Sequence, residues 1–375
     1  MFSKKYITVT FLCLFFIPLI DGLFHISPLL ITSKNTENRT LALKVEMDIN
    51  NLDKFPMKYE SYYNDHFMMR DVFISWYNRI RAVYFGVSPI PEKAIIGKSG
   101  WLFFTGDELP LYSNTKHLSV YDMDFILKEF ERRKKHLQQK NCEMYIFIVP
   151  PKSLVYPEYL SDLIQENYLK TNGLILTEYI KKNSQISITY LLQEFLDAKN
   201  KDKPALYLHT DNQWSEYGGY IGSNAITKVL SITHKELQPI DEAQLVLKDT
   251  AAVPGNIATM IGIQDDVMEH TTLVKLKKTK AHFGKEKGYP VPVNIPAWEY
   301  ERVREVDNTK LPKMLMMDDS FGSYFIPFLS ENFSHSTYLF DSWRYGLNDS
   351  IINIEKPDIV IYEIFESNLK NLLYN

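Results

Sequence analysis

The sequence predicts an α/β fold, a three-layer α/β/α domain with a mostly parallel sheet, preceded by an N-terminal membrane anchor. Three observations predict it. From Tyr121 onward, helical periods alternate with short apolar runs, as they do where parallel strands are joined by crossover helices. Two of those runs, MYIFIVP ending at Pro150 and PDIVIYEIFE near the C-terminus, are apolar at nearly every position. That suits a parallel strand covered on both faces. At the start of the chain, Lys4 and Lys5 precede an apolar stretch, Tyr6–Ile20, closed by Asp21, which is the layout of a signal sequence.

Taken in order, the first element is that apolar stretch. Asp21, Phe24, His25 and Pro28 stand where a small-residue cleavage site would be, so residues 1–31 read as an uncleaved signal-anchor. The run is shorter than the ~20 residues of a spanning helix, and Gly22 to Ile31 would extend it. Positive-inside orientation places the rest of the chain outside the cytoplasm, which predicts a single-pass bacterial inner-membrane protein with its main domain extracytoplasmic. Residues 32–50 are polar and aperiodic, a linker. Residues 51–115 form an N-terminal extension, with Phe73, Ile74, Trp76, Tyr77, Ile80 and Val83 on a helical stripe. Its GKSGWLFFTGD segment is a hairpin or short strand.

Residues 116–375 are the main domain. A helix over about Asp122–Gln139 leads to the strand MYIFIVP. A helix near Leu174–Lys182, the strand ISITYLL and a short helix follow, then the strand-like ALYLHTD. SEYGGYIGSNAITKVL is helical in period, with Ser215 as a possible N-cap. Residues 245–310, rich in Pro, Gly and Lys, make an excursion from the sheet. The pattern resumes with KMLMMDDSF, a helix beginning near Phe321, the strand STYLF, and PDIVIYEIFE before a short C-terminal helix.

Composition narrows the functional classes. With 375 residues, 45% of them hydrophobic, there is ample material for a core, and a net charge of -4 makes no electrostatic case for nucleic acid. Cys13 lies inside the apolar run, so it and Cys142 are a poor disulfide pair. Nine histidines without metal-ligand spacing predict no metal site, and no cofactor is expected.

In open parallel sheets, ligands bind at the carboxyl ends of strands, and two segments put polar residues there. In KMLMMDDSFG, an apolar run ends in Asp318, Asp319 and Ser320 ahead of a helix. A serine so placed exposes its hydroxyl as a nucleophile, with helix-start amides at hand for an oxyanion; it is equally placed to cap the helix. In YLHTDNQWSEYG, Asp211 either orients a catalytic base or caps the helix that follows.

Seven segments in order carry a resemblance: FPMKYESYYNDHFMMR, GKSGWLFF, IVPPKSLVYPEYL, HTDNQWSEYGGY, PGNIATMIGI, DDSFGSYFIPFLSENF and PDIVIYEIFESNL. Together they cover most of residues 50–375. They resemble the alginate O-acetyltransferase-like (AlgX/AlgJ-like, DHHW-type) group of the SGNH-hydrolase superfamily. The resemblance implies an SGNH-hydrolase-like domain with a Ser-His-Asp site that moves acetyl groups onto an exported polysaccharide. The donor it implies is supplied by a membrane O-acyltransferase. Ser320 would attack the acetyl carbonyl, and a histidine two residues after Asp211 would take its proton.

The sequence departs from that pattern at three positions. Gln213 stands at the histidine position, and a carboxamide has no titratable nitrogen. Asp318 replaces the glycine before the family's Asp-Ser, adding a carboxyl beside the oxyanion site, and Asn256 replaces an aspartate. The catalytic candidates are thus Ser320, Asp211 and Gln213, and the alternative to an impaired acetyltransferase is a degenerate protein that binds polysaccharide or an assembly partner. On this reading Gln213→His alone restores little, because Asp318 remains. His209 is a substitute base only if its offset, about 13 Å along an ideal strand, is closed; otherwise it packs at the strand edge. Arg344 in DSWRYG binds an acyl or sugar group, or makes a surface salt bridge. The basic KLKKTKAHFGKEK attracts an acidic polymer or is a solvated hairpin. Asp65 and His66 match a family segment or join the extension to the main domain.

Overall fold

The computed structural model describes residues 4–24, 40–47, 52–67, 69–106, 117–162, 171–200, 202–293, 295, 297–341 and 344–374. Parts of the expected anchor, linker and extension lie outside the described residues. The apolar N-terminus forms helix α1 (Lys4–Phe24). Among the described residues, no helix is long and apolar enough to cross a membrane; residues 25–31 of the expected anchor lie outside the described residues. The aromatic extension forms α2 (Phe55–His66) and α3 (Arg70–Arg79), which runs on into one π-helical turn at Ile80–Tyr84.

The GKSG segment closes a hairpin between β1 (Ala94–Ile96) and β2 (Leu102–Phe104). Gly100 takes φ +78 there, a left-handed value that costs glycine little. Helix α4 (Val120–Gln138) begins at a capping box, in which Ser119 accepts from the Asp122 amide and Asp122 returns the bond. After it come β3 (Glu143–Val149), α5 (Asn172–Asn183), β4 (Ser187–Tyr190), α6 (Leu192–Ala198) and α7 (Glu216–Leu230). Ser215 caps α7 through the Gly218 amide at 3.0 Å, as its sequence position suggests. The hairpin β5 (Leu245–Asp249)–β6 (Thr272–Leu276) stands apart from the main sheet. Then follow β7 (His282–Phe283), β8 (Glu301–Glu305), β9 (Lys313–Asp318), β10 (His335–Phe340), α8 (Asp349–Glu355) and β11 (Ile359–Phe365).

The main sheet runs β4-β3-β11-β9-β10-β8-β7. The first five strands are parallel and the last two antiparallel, so the mostly parallel α/β fold is what forms. The excursion differs from expectation at its end: β7 and β8 return to the sheet and form its edge. Alternate residues face opposite layers. Phe147, Met316 and Ile361 pack with Ile226 and Leu230 of α7, while Ile146, Ile148, Met317 and Val360 pack with Phe130 of α4 and Ile180 of α5. Each such side chain contributes about 1.5–3 kcal/mol on burial, which is why the strands read as unbroken apolar runs. Cys13 and Cys142 are both free.

Two sequence-predicted elements do not form. ALYLHTD makes only a single bridge, Tyr207 to Trp214, because scattered side chains and single backbone amides take its backbone groups in place of a ladder. The helix expected from Phe321 is reduced to a 3-10 turn, Gly322–Tyr324, and four residues, Ile326–Leu329. So short a segment has little dipole with which to stabilise an oxyanion.

Where β8, β10 and α8 meet, His335 bonds Glu355 at 2.8 Å and Glu305 at 3.2 Å, and His282 lies 3.9 Å from Glu305. Thr337 and Tyr289 also donate to Glu355. The bond to Glu355 raises the His335 pKa above its ordinary value against the pull of burial. Burial pushes Glu355 up, but His335, Tyr289 and Thr337 outweigh it and the pKa is lowered. The histidine contribution is therefore complete below about pH 6.5 and is lost as pH rises through the higher folded value; the glutamate contribution is lost as pH falls below about 4.3. Wild-type protein is expected to lose more stability than His335→Gln when urea unfolding is measured at pH 8 instead of pH 5.5. Equal losses in the two proteins would remove this cluster as the cause.

Candidate active site

Strand β9 ends at Asp318, and the next three residues form a turn pinned from both sides. Asp319 is buried, and its Oδ1 accepts from the Phe321 amide at 3.0 Å. Its Oδ2 accepts from Tyr345 Oη at 2.7 Å, the Phe365 amide at 2.7 Å and Asn368 Nδ2 at 3.0 Å. The Asp319 amide donates to Glu363 Oε2 at 3.0 Å. Burial raises the Asp319 pKa despite these donors, and burial beside Asp319 and Asp318 raises that of Glu363 well above the usual range. On the other side Phe321 is buried, stacked on Phe365 at 4.5 Å and edge-on to Trp214 at 5.1 Å. Two buried anchors leave Ser320 between them exposed. The sequence places the serine correctly, but Asp319 turns inward and serves the fold.

The second half of the site is a loop, not a strand end. Glu269 accepts from the amides of His209 at 2.6 Å and Thr210 at 2.9 Å. Lys152, fully buried, donates to the carbonyls of Leu208 at 3.1 Å, His209 at 3.2 Å and Asp211 at 2.5 Å. Its ammonium also lies 5.2 Å from the Phe103 ring centroid, an arrangement that recovers part of its lost hydration. The Leu102 amide of β2 also donates to the His209 carbonyl at 2.9 Å and the Ala258 amide to the Thr210 carbonyl at 3.1 Å, so the segment's backbone groups are satisfied without a strand ladder. Asp211 Oδ1 accepts from the Gln213 amide at 3.0 Å and Oδ2 from the Asn256 amide at 2.9 Å. Asp211 is thus a clamp between its own loop and the start of the short helix Asn256–Met260, where the backbone amide of residue 256 takes part.

The two halves meet where Trp214 Nε1 donates to the Phe321 carbonyl at 3.2 Å and, at the nucleophile position itself, where Gln213 Nε2 donates to Ser320 Oγ at 2.9 Å. No histidine among the described residues bonds Ser320. His209 does not close its offset; its ring lies against Trp101 with centroids 4.2 Å apart, and Tyr159 stacks on Trp101 at 4.2 Å. Burial lowers the His209 pKa. The fold thus brings Ser320, Asp211 and Gln213 together and leaves the His209 imidazole against Trp101, away from them. The Gln213 contact can hold a hydroxyl but cannot receive its proton.

Asp318 is fully buried, but it is not an isolated charge. Arg302 Nη2 lies 2.6 Å from its Oδ1, and Arg302 Nη1 donates to Ser323 Oγ at 3.0 Å. Burial pushes the Asp318 pKa up to about 6, with Arg302 pulling it down. The pairing corrects the expectation of an opposing charge beside Ser320.

Arg344 is exposed and lines a cavity of about 920 Å³ with Asp341, Tyr300, Met317 and Leu339. Its amide donates to Asp341; Ser342 and Trp343 lie outside the described residues. Asp65 accepts the Ala42 amide of the linker at 2.8 Å, and His66 stacks on Tyr62 within the extension at 4.4 Å. The KLKKTKAHFGKEK segment runs from the end of β6 through β7, the sheet's two-residue edge strand, with Lys280 and Lys285 on either side of it. Arg304 covers Phe283 there at 3.9 Å. Sequence reasoning missed Lys152, Glu269 and Arg302. Lys152 lies within a quoted family segment, but nothing local in the sequence links Glu269 or Arg302 to a loop or strand so far along the chain.

The family model described as "SGNH hydrolase-like domain, acetyltransferase AlgX" matches residues 94–287, more than half of the chain. No curated protein matches. Among solved structures, PatB1 of Bacillus cereus is similar at 18% identity and TM-score 0.53, covering 74% of this chain and 97% of that one. PatB1 carrying a sulfonyl adduct is similar at 18% identity and TM-score 0.52, over 72% and 94%. A DHHW family protein of Eubacterium siraeum is similar at 12% identity and TM-score 0.50, over 74% and 93%. At such identities the likeness is one of fold. The matched segment includes Lys152, Asp211 and Gln213 and stops before Arg302 and Ser320.

Proposed function

The chain belongs to the SGNH hydrolase-like acetyltransferase AlgX family, and we propose that within it the chain is an O-acetyltransferase-like protein for an exported polysaccharide whose chemical step is disarmed. It would bind the acetyl-bearing polymer and turn it over slowly at most. The observation that carries this reading is the 2.9 Å bond from Gln213 Nε2 to Ser320 Oγ. In acyl transfer the serine oxygen bonds the carbonyl carbon, the ester oxygen departs, and the serine proton must pass by way of a base to the leaving group. A carboxamide offers no such base at neutral pH. Loss of general-base help typically costs 10²–10⁴-fold. The turn itself is intact, which supports retained binding.

The test is incubation with an activated acetyl ester, followed by mass spectrometry of the Ser320 peptide. The expected result is no acetyl-Ser320 and a hydrolysis rate equal to that of Ser320→Ala. Acetyl-Ser320 that forms and turns over, with Ser320→Ala inactive, would establish a competent acetyltransferase instead.

A further inference from the structure

Asp318 stands where the resembled family has glycine, and its pairing with Arg302 bears on the nucleophile's turn. In the register of the sheet, Tyr338 of β10 pairs with both Met316 of β9 and Arg302 of β8. Directly paired residues share a face, and Asp318 lies two residues beyond Met316 on that same face. Arg302 therefore reaches over Tyr338 and along the sheet to the carboxyl end of β9. Its guanidinium bonds residue 318, two before Ser320, and residue 323, three after it. Its side chain is 15% exposed and that of Asp318 0%, so the pair is shielded and the fork holds both ends of the turn.

A second observation ties the same carboxyl group to the turn. A Cβ at Gly322 would lie 2.2 Å from Asp318 Oδ2 and 2.4 Å from its Cβ. The Asp318 side chain fills the space against Gly322, so any shift of the carboxylate moves residue 322, and Ser320 with it. A buried carboxylate stripped of its cation must either take up a proton or move toward water; each outcome disturbs this packing.

We propose that Arg302 is a positioning residue, which by pairing with Asp318 and Ser323 holds the turn that presents Ser320. The charged and titratable groups facing Asp318 are Arg302 from β8, Asp319 beside it, Tyr338 from β10 and Glu363 from β11. Arg302 is the cation among these four, so the charge balance of the turn depends on it. The inference rests on Ser320 as the nucleophile's position.

The test uses the full chain carrying Ser320→Cys and Cys13→Ser, with iodoacetamide alkylation of residue 320 followed by peptide mass spectrometry across pH 6 to 10. Cys142 is buried, its thiol pushed up to about 12, so it stays unreactive. Alkylation of the thiolate, which forms by loss of its proton to water, needs neither a protein base nor an acetyl donor, and it reads the turn even if the proposed function fails. Adding Arg302→Met is expected to slow alkylation at pH 8 by at least about threefold and to move the thiol midpoint upward, because a nearby carboxylate opposes the thiolate. Arg302→Lys should recover part of the rate. Arg302→Met with Asp318→Gly should return it to within about twofold of the parent, which loss of packing alone would not do. A folded Arg302→Met protein with unchanged kinetics, or a double variant no faster than the single, would overturn the proposal.

Discussion

Gln213→His is expected to raise the rate of acetyl-ester hydrolysis by about two orders of magnitude, the range that a well-placed general base contributes. Three features of the site favour the gain. Gln213 already places its side-chain nitrogen 2.9 Å from Ser320 Oγ, and an imidazole on the same backbone has a similar reach. Asp211 holds the backbone of residue 213 through its amide, so the new ring starts from a fixed position. Asp318, whose charge led the sequence reading to expect little recovery, is paired with Arg302 at 2.6 Å. The rate of the variant should rise with pH through the imidazole range, about 6 to 7, and should vanish in Gln213→His with Ser320→Ala. The measurement is kcat/KM for an activated acetyl ester. No gain would mean that Asp211, with both oxygens on backbone amides, cannot also orient an imidazole, or that the turn lacks oxyanion donors.

The second large effect is on stability. Asp319→Ala is expected to cost about 3–5 kcal/mol, the range seen when one partner of a buried charged network is removed. It would leave the amides of Phe321 and Phe365, the Tyr345 hydroxyl and the Asn368 amide without their shared acceptor. An orphaned buried donor costs about 1–3 kcal/mol, and relaxation keeps the four from adding in full. Asp319→Asn keeps one acceptor oxygen and should lose less, giving a graded value if the alanine variant does not fold. Ser320→Ala, exposed and one residue away, should change stability by no more than about 0.5 kcal/mol. Urea unfolding of the three variants checks the order. If Asp319→Ala were as stable as Ser320→Ala, Asp319 would not be the anchor of this turn.

What could be read in the sequence follows from how local each signal is. The strands β3, β9, β10 and β11 were legible because burial on both faces leaves an unbroken apolar run. Helix α7 was legible because Ser215 and an apolar stripe lie within a few residues of one another. The 208–211 segment was misread because its apolar pattern is that of a strand, while its backbone is satisfied by Lys152 and Glu269, residues more than fifty positions away. The helix expected after Ser320 failed for a local reason that was visible: Gly322 and Pro327 interrupt it.

By itself, the sequence determined the α/β alternation, the exposed serine at the end of β9 and the absence of a histidine two residues after Asp211. These are properties of short segments, governed by burial period and side-chain chemistry. Only the tertiary structure decided that Asp319 faces the core, that Asp211 spends both oxygens on backbone amides, and that Asp318 is neutralised from a strand two places away. The physical reason is that a carboxylate's role depends on which donors and charges surround it, and here those come from β8, β11 and the helix start at Asn256, which only folding brings together. The serine's place was legible locally; its chemistry depends on those neighbours.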